Sequence, residues 1–179
     1  MATFTEGNLL FNFPDNWHVE KYDKAGGFYK KQFQKIQRVK AVDFIVCSSD
    51  FSEIWLLEVK DIRIHPRSNP AILWNDIAAK VRDTLAGMVA ARCNADNSAE
   101  KTFFQDALCN VQKLHVVFHL EQQPQTNARR FPRAYNLSNV KKKLNSLVNP
   151  IDAQPKVVEI ATSRGLPWQV TSVTPNSNP

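Results

Sequence analysis

The chain is predicted to be an α/β protein whose central mixed β-sheet is flanked by helices, and three observations carry that expectation. The stretch IWLLEVK (54–60) alternates Trp55, Leu57 and Val59 on one face with Ile54, Leu56, Glu58 and Lys60 on the other. Both faces begin apolar, as in a central strand covered on each side by helices. AVDFIV, SSDFSE and IWLLEVK read in order as strand, tight polar turn and strand, so the two strands form an antiparallel hairpin. From Asn75 to Arg92, Ile77, Val81, Leu85, Met88 and Val89 recur at helical spacing.

The remaining elements follow from local signals. NLLFNF and WHVEKYD read as short strands divided by the turn-forming PDN. After Gly26 and Gly27, FYKKQFQKIQRV places Tyr29, Phe33 and Ile36 on a helical stripe with Lys31, Lys35 and Arg38 around it. IRIHPRSNP is a loop because its prolines resist regular structure. Ser98 is the expected cap of a second helix, AEKTFFQDALCNV, and Ser138 of NVKKKLNSLV. KLHVVFHL, KVVEIAT and WQVTSV read as strands, and EQQPQTNARRFPR as a polar loop. With no internal repeat and no linker, residues 1–174 are expected to form one domain, with 175–179 a disordered tail.

Composition narrows the function classes. The 179 residues are 43% hydrophobic and 22% charged, which is globular usage rather than disorder. A net charge of +6 and a pI near 9.3 point to an anionic partner, nucleic acid first. Three scattered cysteines without a Cys-x-x-Cys pair argue against a zinc ribbon or a disulfide framework and fit a reducing compartment. No apolar run is long enough for a membrane helix, and the N-terminus lacks a signal-peptide pattern. A cytoplasmic protein without a membrane partner is the expectation.

The charges that end the 54–60 strand need a reason, because a buried charge is costly unless it is paired or coordinates something. Asp43 sits alone among apolar residues on the preceding strand, sharing a face with Ala41 and Ile45. If the hairpin register sets Asp43 beside Glu58, two carboxylates and Lys60 converge on one side of the sheet. Two adjacent carboxylates repel, and Mg²⁺ suits such oxygen donors while keeping several of its waters. Lys60 could orient a water or stabilise developing negative charge.

These residues resemble the PD-(D/E)XK, or restriction-endonuclease-like, nuclease superfamily, whose signature is an Asp on one strand and Glu-x-Lys on the next. The matching residues are Asp43 in KAVDFIV and Glu58-Val59-Lys60 in LLEVKD, the only acid-x-Lys tripeptide in the chain. The resemblance covers about residues 28 to 120. It implies a restriction-endonuclease-like core and phosphodiester hydrolysis in nucleic acid, DNA first, with Mg²⁺ or Mn²⁺ as cofactor. It also implies catalytic roles for Asp43, Glu58 and Lys60, and a metal held by Asp43, Glu58 and the Val59 carbonyl. Restriction, repair, recombination or defence are the settings it suggests. Val42 stands where the family has proline, and the 28–39 segment has no acid, so Glu20 and Asp23 are the candidates for a further metal ligand. The alternative is a nonenzymatic nucleic-acid-binding or interaction module that keeps the fold.

His65 follows the strand in a loop and is a possible accessory. Lys80 shares a helix flank with Asp83, Thr84 and Gly87, and either faces a substrate phosphate or pairs with Asp76 or Asp83. His115 and His119 have zinc-protease spacing, but on a strand they stand about 13 Å apart, too far to share a metal. Phosphate contacts are expected from Lys31, Lys35, Arg38, Arg129, Arg130, Arg133, Lys141, Lys142 and Lys143, with Phe131 and Tyr135 as stacking platforms. A second copy of the chain or a partner protein is left open.

Overall fold

The computed structural model describes residues 1–63, 70–123 and 134–173. His65, Arg129, Arg130, Phe131, Arg133 and the expected tail lie outside the described residues. Along the chain come β1 (Ala2–Glu6), β2 (Leu9–Phe13), β3 (His18–Lys21), a one-turn helix α1 (Phe28–Lys31), β4 (Phe44–Cys47) and β5 (Glu53–Asp61). Helices α2 (Pro70–Asn94) and α3 (Ser98–Asn110) lead to β6 (Lys113–Glu121). Helix α4 (Leu137–Val148), β7 (Lys156–Val158) and β8 (Gln169–Ser172) complete the order.

A strand apolar on both faces needs two covers, and here they differ in kind. Strand β5 is the centre of a mixed five-stranded sheet ordered β3-β4-β5-β6-β7, antiparallel from β3 to β5 and parallel from β5 to β7. Each parallel step needs a crossover, which α2 with α3 supplies between β5 and β6, and α4 between β6 and β7. On the helical side Ile45, Ile54, Leu56, Val116, Phe118 and Leu120 pack with Ile77, Phe104 and Leu144. The other face is covered not by helices but by a second sheet, ordered β1-β2-β8. There Phe44, Trp55, Leu57 and Val117 meet Phe11, Phe13 and Trp168. Phe11, Phe13 and Phe44 are fully buried, each worth about 1.5–3 kcal/mol on area grounds. The predicted class holds, with helices on one face and a sheet on the other.

The local differences have physical causes. The N-terminal hairpin pairs β1 with β2 through a two-residue loop, Gly7 and Asn8, made possible by Gly7 at φ 57°. The expected 28–39 helix stops after one turn, a 3-10 turn follows at Phe33–Lys35, and Arg38 takes a left-handed φ of 64°. Its first turn lacks an acid of its own, and the Phe28 N–H is met instead by the Glu100 carboxylate of α3 at 2.9 Å. Pro70 opens α2, five residues before the expected start, because a proline at the first helical position forfeits no helical hydrogen bond. Asn97 and Asn136 cap α3 and α4 in place of Ser98 and Ser138, accepting from the Glu100 and Asn139 N–H groups. KVVEIAT keeps only three strand residues before a 3-10 turn at Ile160–Gly165.

Candidate active site

Strands β4 and β5 pair through four rungs, from Cys47 with Ile54 to Phe44 with Leu57, and then part. The Tyr22 N–H donates to the Asp43 carbonyl at 3.0 Å, so the Asp43 backbone faces β3 and its neighbours face β5. A continued ladder would therefore have Val42 and Val59 exchange the next two bonds. Instead the Val42 N–H donates to Thr84 Oγ1 at 3.0 Å, and the Val59 N–H to Asp43 Oδ2 at 2.7 Å. The Asp43 carboxylate thus takes the place of a backbone acceptor. The Val59 carbonyl, on the same strand edge as its N–H, loses Val42 as its ladder donor. This is a site built by opening a sheet early.

Asp43 and Glu58 are 6% and 1% exposed, on the helical side of the sheet. Lys60 Nζ lies 2.6 Å from Glu58 Oε1, and Lys80 Nζ reaches from α2 to both Glu58 oxygens at 2.8 Å. A buried carboxylate is tolerable only with such partners. Burial, reinforced by the Glu58 charge, pushes the Asp43 carboxyl up to about 7, against the pull of Lys60, Lys80 and the Val59 N–H. Burial alone would depress Lys80. The charges of Glu58 and Asp43 and the bond to Glu58 outweigh it, and its pKa stands above the ordinary lysine value.

Helix α2 holds the opened strand end in place. Along one flank Lys80 binds Glu58, Asp83 Oδ2 accepts from the Lys40 N–H at 3.1 Å, and Thr84 accepts from Val42. At Gly87 the helix passes so close to the side chain of Tyr22, just beyond β3, that a Cβ would collide with its hydroxyl. Lys40 adds an ion pair to Asp76. The partner of Lys80 is therefore Glu58, and neither Asp76 nor Asp83. Local sequence gives Asp83 and Thr84 no task of their own. Their signal is the spacing: polar or small residues at 80, 83, 84 and 87 form one stripe on a helix whose neighbouring face is apolar.

Asp43, Glu58, Val59, Lys60 and Lys80 come together; the further acids do not. The largest charge effects on Asp43 come from Glu58, Lys60 and Lys80. Glu20 stands opposite Ile45, one side-chain step along β3, and pairs with Lys24 at 2.7 Å. Asp23 falls beyond the end of β3. Among the described residues no group of three or more His, Cys, Asp or Glu side chains could hold a metal ion.

Lys31, Lys35, Arg38, Lys141, Lys142 and Lys143 are exposed. Tyr135 cannot serve as a stacking platform, being 4% exposed with its backbone held by the Gln122 side chain. His115 lies flat against Trp55 with ring centroids 3.9 Å apart, and His119 is fully buried beside Phe11 and Glu121. Both belong to the sheet-covered side, away from the carboxylates.

Among the described residues no helix is long and apolar enough to cross a membrane. No family model matches the chain, and no solved structure matches it. The chain is similar to part of the cysteine–tRNA ligase of Neisseria meningitidis serogroup A, with 28% identity over 97% of this chain and 30% of that protein. It therefore spans less than a third of the length of that relative.

Proposed function

We propose that the chain is a metal-dependent nuclease that hydrolyses phosphodiester bonds in nucleic acid, with DNA the first substrate to test and a restriction-endonuclease-like core as its scaffold. The observation that supports this is the meeting of Asp43, Glu58 and Lys60 at an opened strand end, where the Val59 carbonyl has lost its ladder donor. The donor set suits a hard divalent ion: two carboxylates and a carbonyl, with room in the coordination shell for water. A Mg²⁺ or Mn²⁺ ion held there would lower the pKa of a bound water and draw charge from a phosphoryl oxygen. Lys60 and Lys80 place two ammonium groups where a phosphodiester under attack gains negative charge. Thr84 and Asp83 keep the segment before Asp43 fixed, so the carboxylates need not be gathered when substrate arrives. The relative's name puts tRNA among that protein's substrates, so RNA belongs beside DNA in any assay.

A second reading has its own support. Lys80 occupies both Glu58 oxygens, as in an ion cluster that fastens α2 to the sheet in a nonenzymatic nucleic-acid-binding module. Labelled single- and double-stranded DNA and RNA, incubated with Mg²⁺, Mn²⁺ or EDTA, separate the two. The nuclease reading expects cleavage with a divalent ion, none with EDTA and none with Asp43→Asn. Calorimetry should find a divalent ion bound by the native chain and weakened by Asp43→Asn. Absence of both metal binding and cleavage would leave the binding module.

A further inference from the structure

Helix α4 buries Val140, Leu144 and Val148 at four-residue intervals, and its remaining surface carries Lys141, Lys142 and Lys143 with no acid anywhere in the helix. Lys21, Lys24, Lys40, Lys60, Lys80 and Lys113 each have a carboxylate partner. Among the described residues the three α4 lysines have none. Three consecutive lysines with no acid in the helix make this surface electropositive and suited to an anion.

Beside it lies a groove of about 500 Å³ lined by Trp74 of α2 and by Asn139, Lys142, Lys143 and Ser146 of α4. Among the described residues no lining residue is acidic. Trp74 is half-buried, steadied by an edge-on contact with buried Tyr135 at 5.8 Å, and it supplies the groove's aromatic wall. On the same helix Lys80 is six residues further on, about 9 Å along the axis and about a third of a turn around it.

We propose that this groove binds a single strand of nucleic acid, one base stacking on Trp74 and the neighbouring phosphates resting on Lys142 and Lys143. The assignment rests on the nucleic-acid reading above and adds a binding surface for the strand. An aromatic wall favours a single strand because a base can stack on it only when freed from its duplex neighbours. Lysines without carboxylate partners bind phosphate without first giving up an ion pair. Asn139 and Ser146 add neutral hydrogen-bonding groups for the sugar or base edges.

The test is fluorescence anisotropy with labelled oligothymidylate, oligouridylate and a matched duplex, each about 12 nucleotides long, in EDTA so that nothing is cut. Trp74→Ala should weaken single-strand binding about tenfold and duplex binding less than twofold. Trp74→Phe, which keeps an aromatic face, should retain most of the affinity. Lys142→Glu with Lys143→Glu should weaken every ligand and flatten the salt dependence. Tighter binding of one homopolymer than the other, lost in Trp74→Ala, supports the groove. Unchanged single-strand affinity in Trp74→Ala overturns the proposal. So does an equal loss for strand and duplex that Trp74→Phe fails to restore. If Trp74→Ala binds normally while the native chain cleaves duplex with Mn²⁺, the groove is wrong and the nuclease reading stands. If binding depends on Trp74 but neither Mg²⁺ nor Mn²⁺ brings cleavage, the groove stands and the nuclease reading falls.

Discussion

Lys60 and Lys80 are mostly buried and both hold Glu58; Lys141, Lys142 and Lys143 are exposed and hold nothing among the described residues. The same side chain is under opposite constraints in the two places. At the strand end Glu58 and its two ammonium partners offset one another's burial, because a buried charge without a partner is strongly destabilising. On α4 each charge is exposed and dispensable to folding. Stability measurements should therefore separate the regions, with effects shrinking from the first to the second.

The largest loss is expected from Glu58→Ala, which leaves two mostly buried ammonium groups without their shared carboxylate. About 4 kcal/mol of stability should go, near 10 °C in melting temperature for a chain of this size. A drop of under one degree would mean that Lys60 and Lys80 reach water without help from Glu58.

Asp43→Asn should act in the other direction. The folded chain keeps the Asp43 proton up to about pH 7, whereas an ordinary Asp releases it near 3.8. Folding thus takes up a proton between those values. The contribution is fully present below about pH 4 and is lost as pH rises through 7. At pH 8 the native chain carries a buried charge that Asn removes, while the Asn carbonyl still accepts from Val59. The variant should be about 4 kcal/mol more stable at pH 8, with the gain vanishing near pH 4. Urea unfolding at the two pH values measures this, and an Asn variant no more stable at pH 8 than at pH 4 would contradict it.

Lys60→Ala is expected to cost about 1 kcal/mol, since Lys80 still holds both Glu58 oxygens, and Lys80→Ala about 2. Under the nuclease reading Lys60→Ala nonetheless loses cleavage, with divalent-ion affinity equal or slightly higher because a nearby like charge is gone. Retained cleavage in a folded Lys60→Ala chain would remove Lys60 from the chemistry. The smallest stability change, within about 0.5 kcal/mol, belongs to the combined Lys141→Ala, Lys142→Ala and Lys143→Ala variant. Its effect should appear instead in nucleic-acid binding, whose logarithmic salt slope should fall by about 2–3. Destabilisation on the scale of Glu58→Ala would show that the α4 lysines are held in the fold rather than free in solvent.

Much of this contrast is legible in the chain itself. Alternation in IWLLEVK marks a strand buried on both faces, and the turn residues SSDFSE fix its hairpin with AVDFIV. A two-residue side-chain period then obliges Glu58 and Lys60 to share a face. The 77–89 stripe identifies the long helix, and the lysine run on NVKKKLNSLV necessarily lies outside its Val140-Leu144-Val148 face.

Other features needed the third dimension. An apolar face demands a cover without naming it, so the β1-β2-β8 sheet over Trp55 and Leu57 was hidden in the pattern that also suits helices. The early parting of β4 from β5 depends on Thr84, 42 residues beyond Val42, and on Asp43 taking a backbone bond; no local propensity encodes either. Glu20 and Asp23 have the right chemistry, but β3 sets Glu20 opposite Ile45, where it pairs with Lys24, and ends before Asp23. Local sequence determines periodicity, and periodicity decides which face a side chain occupies. Which charges meet is decided by register and helix docking, because those are set by the sum of many distant contacts.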